Sequence, residues 1–133
     1  IKMIVEPGRF IAAPSVRLEA YVKNVYSSYD RSTRRNVIIN CSVYNAFMDT
    51  IVLNLRLLVE GELDEHEITE STSEVYEYII KGETPDSYDI FRYRVLLPRK
   101  LERGDKLVFL NAGAYNYHTD FCNLPRVRTE IVE

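Results

Sequence analysis

The segment Phe91-Arg92-Tyr93-Arg94-Val95-Leu96-Leu97 alternates apolar and charged side chains along most of its length. A β-strand places successive side chains on opposite faces, so this pattern predicts a strand with one buried and one solvated face. Further strands are predicted at residues 16–22, 37–39, 51–59, 76–80 and 107–110. About six or seven strands at this spacing predict an all-β fold, an antiparallel Greek-key-like β-barrel or sandwich.

Signals for helices are weaker than those for strands. Residues 10–13 could form one helical turn, and residues 44–49 are ambiguous between helix and loop. Residues 60–70 carry six Asp or Glu side chains. Such a density of like charge is typical of a solvated loop or a hairpin tip.

Composition and charge bound the class of protein. The 133 residues, 46% hydrophobic and 28% charged, fit one globular domain with its own core. A net charge of −3 argues against a nucleic-acid partner, and no apolar run is long enough to span a bilayer. Two cysteines, Cys41 and Cys122, are too few for a disulfide framework, which favours a reduced, cytoplasmic setting.

The segment Glu6-Pro7-Gly8-Arg9 follows a continuous apolar run at residues 1–5. Such a run is typical of a strand buried on both faces in a barrel, and barrel enzymes keep their chemistry at the carboxyl ends of these strands. Gly8 would let the backbone approach a ligand closely, and Arg9 could hold a phosphate with paired donors. The alternative for these four residues is a surface turn with a Glu–Arg pair.

Two further segments carry candidate functional side chains. Asn111-Ala112-Gly113-Ala114-Tyr115 follows a predicted buried strand, and its small residues leave room for a ligand beside the hydroxyl of Tyr115. The alternative is an ordinary strand end with a half-buried tyrosine. Residues 82–89, Gly-Glu-Thr-Pro-Asp-Ser-Tyr-Asp, carry Asp86 in either a polar turn or a binding loop, where a carboxylate could bind an amine.

In order and spacing, these three segments resemble the C-terminal half of the fold-type III pyridoxal-phosphate-dependent decarboxylases of ornithine, lysine, arginine and diaminopimelate. The resemblance implies the C-terminal β domain of a two-domain enzyme of the alanine racemase/ornithine decarboxylase type. Residues 1–9 would be the last strand and cofactor-binding turn of an N-terminal α/β barrel, and residues 10–133 the β domain. The family's cofactor-carrying lysine would lie in that barrel, so this segment alone is not expected to be active.

The resemblance also implies a role for each motif residue. Glu6 would pair with the pyridine nitrogen of pyridoxal 5'-phosphate, while Gly8, Arg9 and Tyr115 would hold its phosphate. Asp86 would cross a homodimer interface as a catalytic and substrate-binding residue that orients the substrate's distal amine. The implied activity is decarboxylation of a basic or diamino acid of the ornithine, lysine or diaminopimelate type, with neither nucleic acid nor membrane as partner.

The chain departs from the family pattern at two positions. Pro85 stands where the family has a cysteine that assists protonation of the substrate carbon, and Cys41 stands where the ornithine decarboxylases have an aspartate. Cys41 is therefore a second candidate catalytic residue, as a replacement for the missing thiol. By the same resemblance, Phe121 is a candidate for the wall of the substrate pocket.

These departures leave other functions open. A catalytically inactive homologue kept for binding or regulation is one alternative, and an unrelated β-sandwich binding module with a tyrosine-rich face is another. A racemase or a different lyase on the same scaffold is a third. Cofactor binding without turnover would indicate the first alternative, and no response to pyridoxal phosphate would indicate the second.

Overall fold

The structure, a computed structural model, describes residues 2–27, 34–70, 74–116 and 123–132. Its strands are β1 Leu18–Ser27, β2 Arg34–Ile39, β3 Tyr76–Lys81, β4 Ile90–Leu97 and β5 Lys106–Phe109. Its helices are α1 Arg9–Ala12, α2 Val43–Ala46, α3 Met48–Val52 and α4 Glu65–Glu70, with a 3₁₀ turn at Ala13–Ser15. The strands form one curled sheet in the order β4-β3-β2-β1-β5, so the predicted all-β class is confirmed.

The sheet is mixed rather than wholly antiparallel. Strands β2 and β3 pair in parallel, whereas β1 pairs antiparallel with β2 and β5, and β3 with β4. A parallel pair needs a long crossover connection, and the chain between β2 and β3 provides one that includes α2, α3 and α4. The alternating pattern did not reveal this pairing, because parallel and antiparallel strands share the same side-chain period.

Three phenylalanines join the helical connection to the sheet. Phe47, between α2 and α3, lies 4.7 Å from the Phe91 ring centroid and 4.8 Å from that of Phe109. Phe91 and Phe109 are themselves 5.3 Å apart, and all three are buried. Contacts of this kind add about 0.5–1.5 kcal/mol per pair to the free energy of burial. They hold α2 and α3 against the sheet, which matters because both candidate site clusters contact these helices.

The predicted strand at residues 51–59 is wrong. Its first residues belong to α3, residues 53–58 take no regular secondary structure, and Val59 makes only an isolated bridge to Phe109. Asn54 has a φ of 53°, a left-handed conformation that a strand does not accept. Leu57 and Val59 are nevertheless buried, so the apolar alternation arose from an irregular extended segment that lies on the core.

The acidic stretch contains a helix rather than only a loop. Asp64 accepts a hydrogen bond from the Glu67 amide at 2.8 Å, and the Glu67 carboxylate accepts one from the Asp64 amide at 2.9 Å. This reciprocal pair is a capping box, which starts α4 despite the density of negative charge.

The helical turn predicted at residues 10–13 is confirmed by α1. Residues 2–7, just before it, take no regular secondary structure, and Met3, Ile4 and Val5 are exposed. The division into a barrel strand at residues 1–9 and a β domain at residues 10–133 therefore stays a prediction.

Candidate functional site

Two of the residues predicted to hold phosphate lie side by side. The guanidinium carbon of Arg9 is 5.3 Å from the centroid of the Tyr115 ring. Arg9 also forms an ion pair with Asp49 through Nη1, and this hydrogen bond raises the pKa of the guanidinium. Cation and ring are thus held together at the start of α1, with Tyr115 64% exposed and available to a ligand.

Close backbone contact brings the two motifs together. The amide of Gly113 donates to the carbonyl of Ala13 at 3.1 Å, and the amide of Ala112 donates to that of Val16 at 2.9 Å. A methyl group on Gly113 would lie 1.9 Å from the Ala12 carbonyl oxygen, so only glycine permits this approach. Gly113 is therefore required by packing against Ala12, whereas room for a ligand beside the Tyr115 hydroxyl stays a prediction.

The loop that carries Tyr115 has an unusual backbone. Asn111, Ala114 and Tyr115 have φ angles of 56°, 57° and 60°, in the left-handed region that residues with a side chain rarely adopt. Such conformations persist only where the surroundings enforce them, and they concentrate at functional sites. Here the buried side chain of Asn116 donates to the carbonyls of Ala112 and Gly113, both at 3.3 Å.

Glu6 and Gly8 complete the segment. Glu6 is exposed, and a methyl group on Gly8 would meet no atom within 4 Å among the described residues. The carbonyl of Gly8 accepts the first hydrogen bonds of α1, from the amides of Ile11 and Ala12, both at 3.1 Å. Open space at Gly8 agrees with a ligand-facing turn, while the pairing of Glu6 with a pyridine nitrogen stays a prediction.

Asp86 belongs to a second cluster, and its hydrogen-bond partners are residues other than Arg9 and Tyr115. Its carboxylate accepts hydrogen bonds from the Tyr88 amide at 2.9 Å and from the Tyr44 hydroxyl at 2.7 Å. These two bonds hold the pKa of Asp86 below its ordinary value, so the exposed side chain is a carboxylate at neutral pH. The loop thus presents a fixed negative charge, which suits recognition of an amine.

Asp89 shapes the loop around Asp86. It is 2% exposed and accepts hydrogen bonds from the Val43 amide at 2.9 Å, the Thr84 amide at 3.0 Å and the Thr84 hydroxyl at 2.6 Å. The Asp89 amide in turn donates to the carbonyl of Asp86 at 3.0 Å. The predicted polar turn is therefore also a rigid loop that is tied to the start of α2.

Cys41 contacts the same loop. Its carbonyl accepts a hydrogen bond from the Glu83 amide at 3.1 Å, and its thiol is buried beside a cleft of about 280 Å³ that Asn45 and Pro125 also line. Burial, with Glu83 and Asp89 nearby, raises the pKa of the thiol well above its ordinary value. Cys41 therefore stays a neutral thiol, and its catalytic role stays a prediction. The candidate pocket residue Phe121 lies outside the described residues.

The structure adds three residues that sequence reasoning missed and gives a role to a fourth, Asp89, which the motif at residues 82–89 already contained. Asp49 and Asn116 support Arg9 and Tyr115, while Tyr44 and Asp89 support Asp86. A signal existed for one of them, because Asp49 is the single carboxylate residue between Asp30 and Glu60, in an otherwise apolar stretch. An isolated acid there indicates a buried partner.

The Arg9 cluster fits a phosphate monoester. A guanidinium has five N–H donors, and the contact with Asp49 uses one nitrogen, Nη1, of a side chain that is 35% exposed. A phosphate monoester needs hydrogen-bond donors and room to enter. Arg9 and the exposed hydroxyl of Tyr115 are suitable donors, and the unfilled space at Gly8 leaves room. Among the residues described, no group of acids, histidines and cysteines could hold a metal ion, and no helix is long and apolar enough to cross a membrane.

Comparison with known proteins identifies the domain. Residues 18–113 match the family of pyridoxal-dependent decarboxylases, specifically their C-terminal sheet domain. A comparison with curated proteins finds no significant match. The match covers most of the chain and is incompatible with an unrelated β-sandwich module.

Solved structures agree with this assignment. Lysine/ornithine decarboxylase from Vibrio vulnificus, complexed with cadaverine, is 28% identical over 91% of this chain, with a TM-score of 0.69. Arginine decarboxylase from Paramecium bursaria Chlorella virus, bound to agmatine, is 25% identical over 89%, with a TM-score of 0.67. Carboxynorspermidine decarboxylase from Campylobacter jejuni shares the fold, with 24% identity over 89% of this chain and a TM-score of 0.70.

This chain spans about a third of the length of those solved relatives, 31%, 31% and 33%. The family's description confirms pyridoxal phosphate as its cofactor, in agreement with the prediction from the motifs. By its fold and by the match over residues 18–113, the chain belongs to the pyridoxal-dependent decarboxylase family, as its C-terminal sheet domain.

Proposed function

We propose that the full-length protein is a pyridoxal-phosphate-dependent carboxy-lyase acting on a basic or diamino acid, and that this domain completes its active site at a homodimer interface. The observation that carries the proposal is the contact of Arg9 with Tyr115, 5.3 Å from guanidinium carbon to ring centroid. It joins two motifs that are distant in sequence into one phosphate-binding group. The proposal includes an N-terminal α/β barrel with the cofactor's lysine and a cytoplasmic setting, where thiols stay reduced.

At the cofactor end, each residue has a defined task. Arg9 donates hydrogen bonds to the phosphate from nitrogens that Asp49 does not occupy, and the Tyr115 hydroxyl donates another. Glu6 keeps the pyridine nitrogen protonated. When bound, pyridoxal phosphate supplies the electron sink for the electron pair released as carbon dioxide leaves.

At the substrate end, Asp86 supplies the negative charge. Its pKa is held down by hydrogen bonds from Tyr88 and Tyr44, so it remains anionic and can attract a distal ammonium or guanidinium group. The relatives described above were solved with cadaverine, agmatine and norspermidine, all of which carry amines. With the neutral Cys41 in place of the family's aspartate, the exposed Asp86 is the carboxylate that we assign to the substrate's far end.

An inactive homologue is the second candidate function. Pro85 has no proton to give, and Cys41 is buried, so neither obviously supplies the proton that replaces carbon dioxide on the substrate carbon. This candidate retains the Arg9–Tyr115 cluster and therefore also binds the cofactor. Only turnover separates it from the enzyme.

The test uses the full-length protein with ornithine, lysine, arginine and diaminopimelate, and measures release of carbon dioxide and of the amine product. Asp86→Asn is expected to lower kcat/KM for the preferred substrate by about tenfold to a hundredfold, because a charge-assisted contact is lost. Glu60→Gln, at an exposed acid outside both clusters, is the matched control and should match the wild type. Bound cofactor with no turnover of any substrate would favour the inactive homologue.

A further inference from the structure

Asp49 is buried, yet it carries a carboxylate beside an exposed binding cluster. It is 5% exposed, and its side chain pairs with Nη1 of Arg9. It lies at the start of α3, and the helix is fixed against the sheet by Phe47. A buried carboxylate without a structural or functional partner is rare, and the partner here is the proposed phosphate-binding arginine.

Asn116 connects the same carboxylate to the loop of Tyr115. Its amide nitrogen lies 3.4 Å from the Asp49 carboxylate, and its amide oxygen accepts a hydrogen bond from the Asp49 backbone at 3.2 Å. Asn116 also binds the carbonyls of Ala112 and Gly113 in that loop. One buried acid thus contacts Arg9 directly and holds the Tyr115 loop through a single side chain.

We propose that Asp49 is a positioning residue that fixes the Arg9 guanidinium and, through Asn116, the Tyr115 loop in the geometry that receives the cofactor's phosphate. The inference rests on the proposed function and extends it to a residue that does not contact the ligand. It also gives a reason for the left-handed backbone at Tyr115, which persists because Asn116 holds the loop.

Two effects of Asp49 on phosphate binding oppose each other. Its negative charge offsets part of the positive charge of Arg9 and so weakens attraction of a phosphate. Its hydrogen bond restricts a long, flexible side chain before binding, and ordering one such side chain changes affinity by about twofold to tenfold. Solvent at the 35% exposed Arg9 screens part of the charge effect, so we expect the ordering effect to be the larger.

The test measures the dissociation constant of pyridoxal phosphate for the full-length protein, well below each variant's melting temperature. Asp49→Asn replaces the charge-assisted hydrogen bond to Arg9 with a weaker neutral one, so Arg9 is less ordered, and we expect this constant to rise about twofold to tenfold. Tyr78→Phe is the matched control: Tyr78 is buried, bonds Leu101 and Arg99, and lies outside this cluster. It should lower the melting temperature without changing the dissociation constant.

A double-mutant cycle separates positioning from general damage. In an Arg9→Met background, Asp49→Asn should change the dissociation constant less than in the wild type, because only its support of the Tyr115 loop through Asn116 remains. An equal effect in both backgrounds would overturn the inference. Where Asp49→Asn does not fold, Asn116→Ala takes its place: it leaves the ion pair and removes the loop support, so it too should weaken binding.

The outcomes distinguish this inference from the function on which it rests. Wild-type protein that binds no pyridoxal phosphate would overturn both. If the wild type binds pyridoxal phosphate and Asp49→Asn leaves the dissociation constant unchanged, the role of Asp49 is overturned and the proposed function stands. The same conclusion holds for Asn116→Ala where that variant is used.

Discussion

A methyl group on Gly82 would lie 2.0 Å from Oδ1 of Asp89, so the carboxylate of Asp89 fills the space beside this glycine. From there Asp89 reaches the amide of Val43 at the start of α2 and both the amide and the hydroxyl of Thr84. This contact fixes the loop that presents Asp86. The glycine of the motif at residues 82–89 is therefore required by packing against Asp89.

Gly82→Ala is expected to destabilise the protein by about 2–3 kcal/mol or more, because the added methyl group must displace a buried, hydrogen-bonded carboxylate. Unfolding by denaturant without cofactor measures this loss. Gly8→Ala is the control, since a methyl group there meets no atom within 4 Å among the described residues and φ is −106°. Equal stability of the two variants would contradict the packing argument.

Gly113→Ala should damage the cofactor end as well as the fold. The added methyl group would lie 1.9 Å from the Ala12 carbonyl oxygen, and relief of this clash must move the Tyr115 loop away from Arg9. We expect lower stability together with weaker retention of pyridoxal phosphate. Gly82→Ala is the comparison, because it should lose stability and keep the Arg9–Tyr115 contact. Wild-type retention by Gly113→Ala would show that the loop position does not matter.

Tyr44→Phe should raise the pKa of Asp86. The Tyr88 amide and the Tyr44 hydroxyl both hold this pKa below its ordinary value, and the substitution removes the hydroxyl. The stability that the carboxylate contributes is present above the ordinary pKa of an aspartate and is lost as the pH falls through the lowered value. A carboxyl titration by NMR checks the shift. A pKa unchanged in Tyr44→Phe would mean that the hydroxyl does not act on Asp86.

Cys41 should make stability fall at alkaline pH. Burial raises the pKa of its thiol, so its contribution is complete below the ordinary thiol pKa of about 8.5 and is lost as the pH rises through the folded value. Between about pH 7 and 10, the free energy of unfolding measured with denaturant should therefore fall less in Cys41→Ala than in the wild type. The buried Tyr78 and the partly buried Tyr93 also have raised pKa values, but both are common to the two proteins and cancel in the comparison. Parallel pH profiles would contradict the burial argument.

Sequence reasoning found the strands because residues 18–22 of β1 and 91–97 of β4 alternate between a more buried and a more exposed side. It failed at residues 51–59, where apolar alternation belongs to an irregular segment, and at α4, where a capping box outweighs charge repulsion. At α4 a local contact decided the backbone, and the side-chain period could not reveal it.

The site was predictable to the extent that motifs encode it. Arg9 and Tyr115 were assigned one task from separate segments, and they lie in contact. Their supports, Asp49 and Asn116, lie 67 residues apart in sequence, and only the folded chain brings them together. The position of Asp86 on a rigid loop likewise depends on Asp89, whose partners come from another element.

The most direct test is an absorbance spectrum of the full-length protein, before and after reduction with borohydride, for the wild type and two arginine variants. We predict a visible band of bound pyridoxal phosphate that borohydride fixes covalently onto a lysine of the barrel. Arg9→Met should weaken cofactor retention about tenfold to a hundredfold, whereas Arg92→Met, at an exposed arginine of β4, should match the wild type. A wild-type protein without this band, or equal retention by the two variants, would contradict the account.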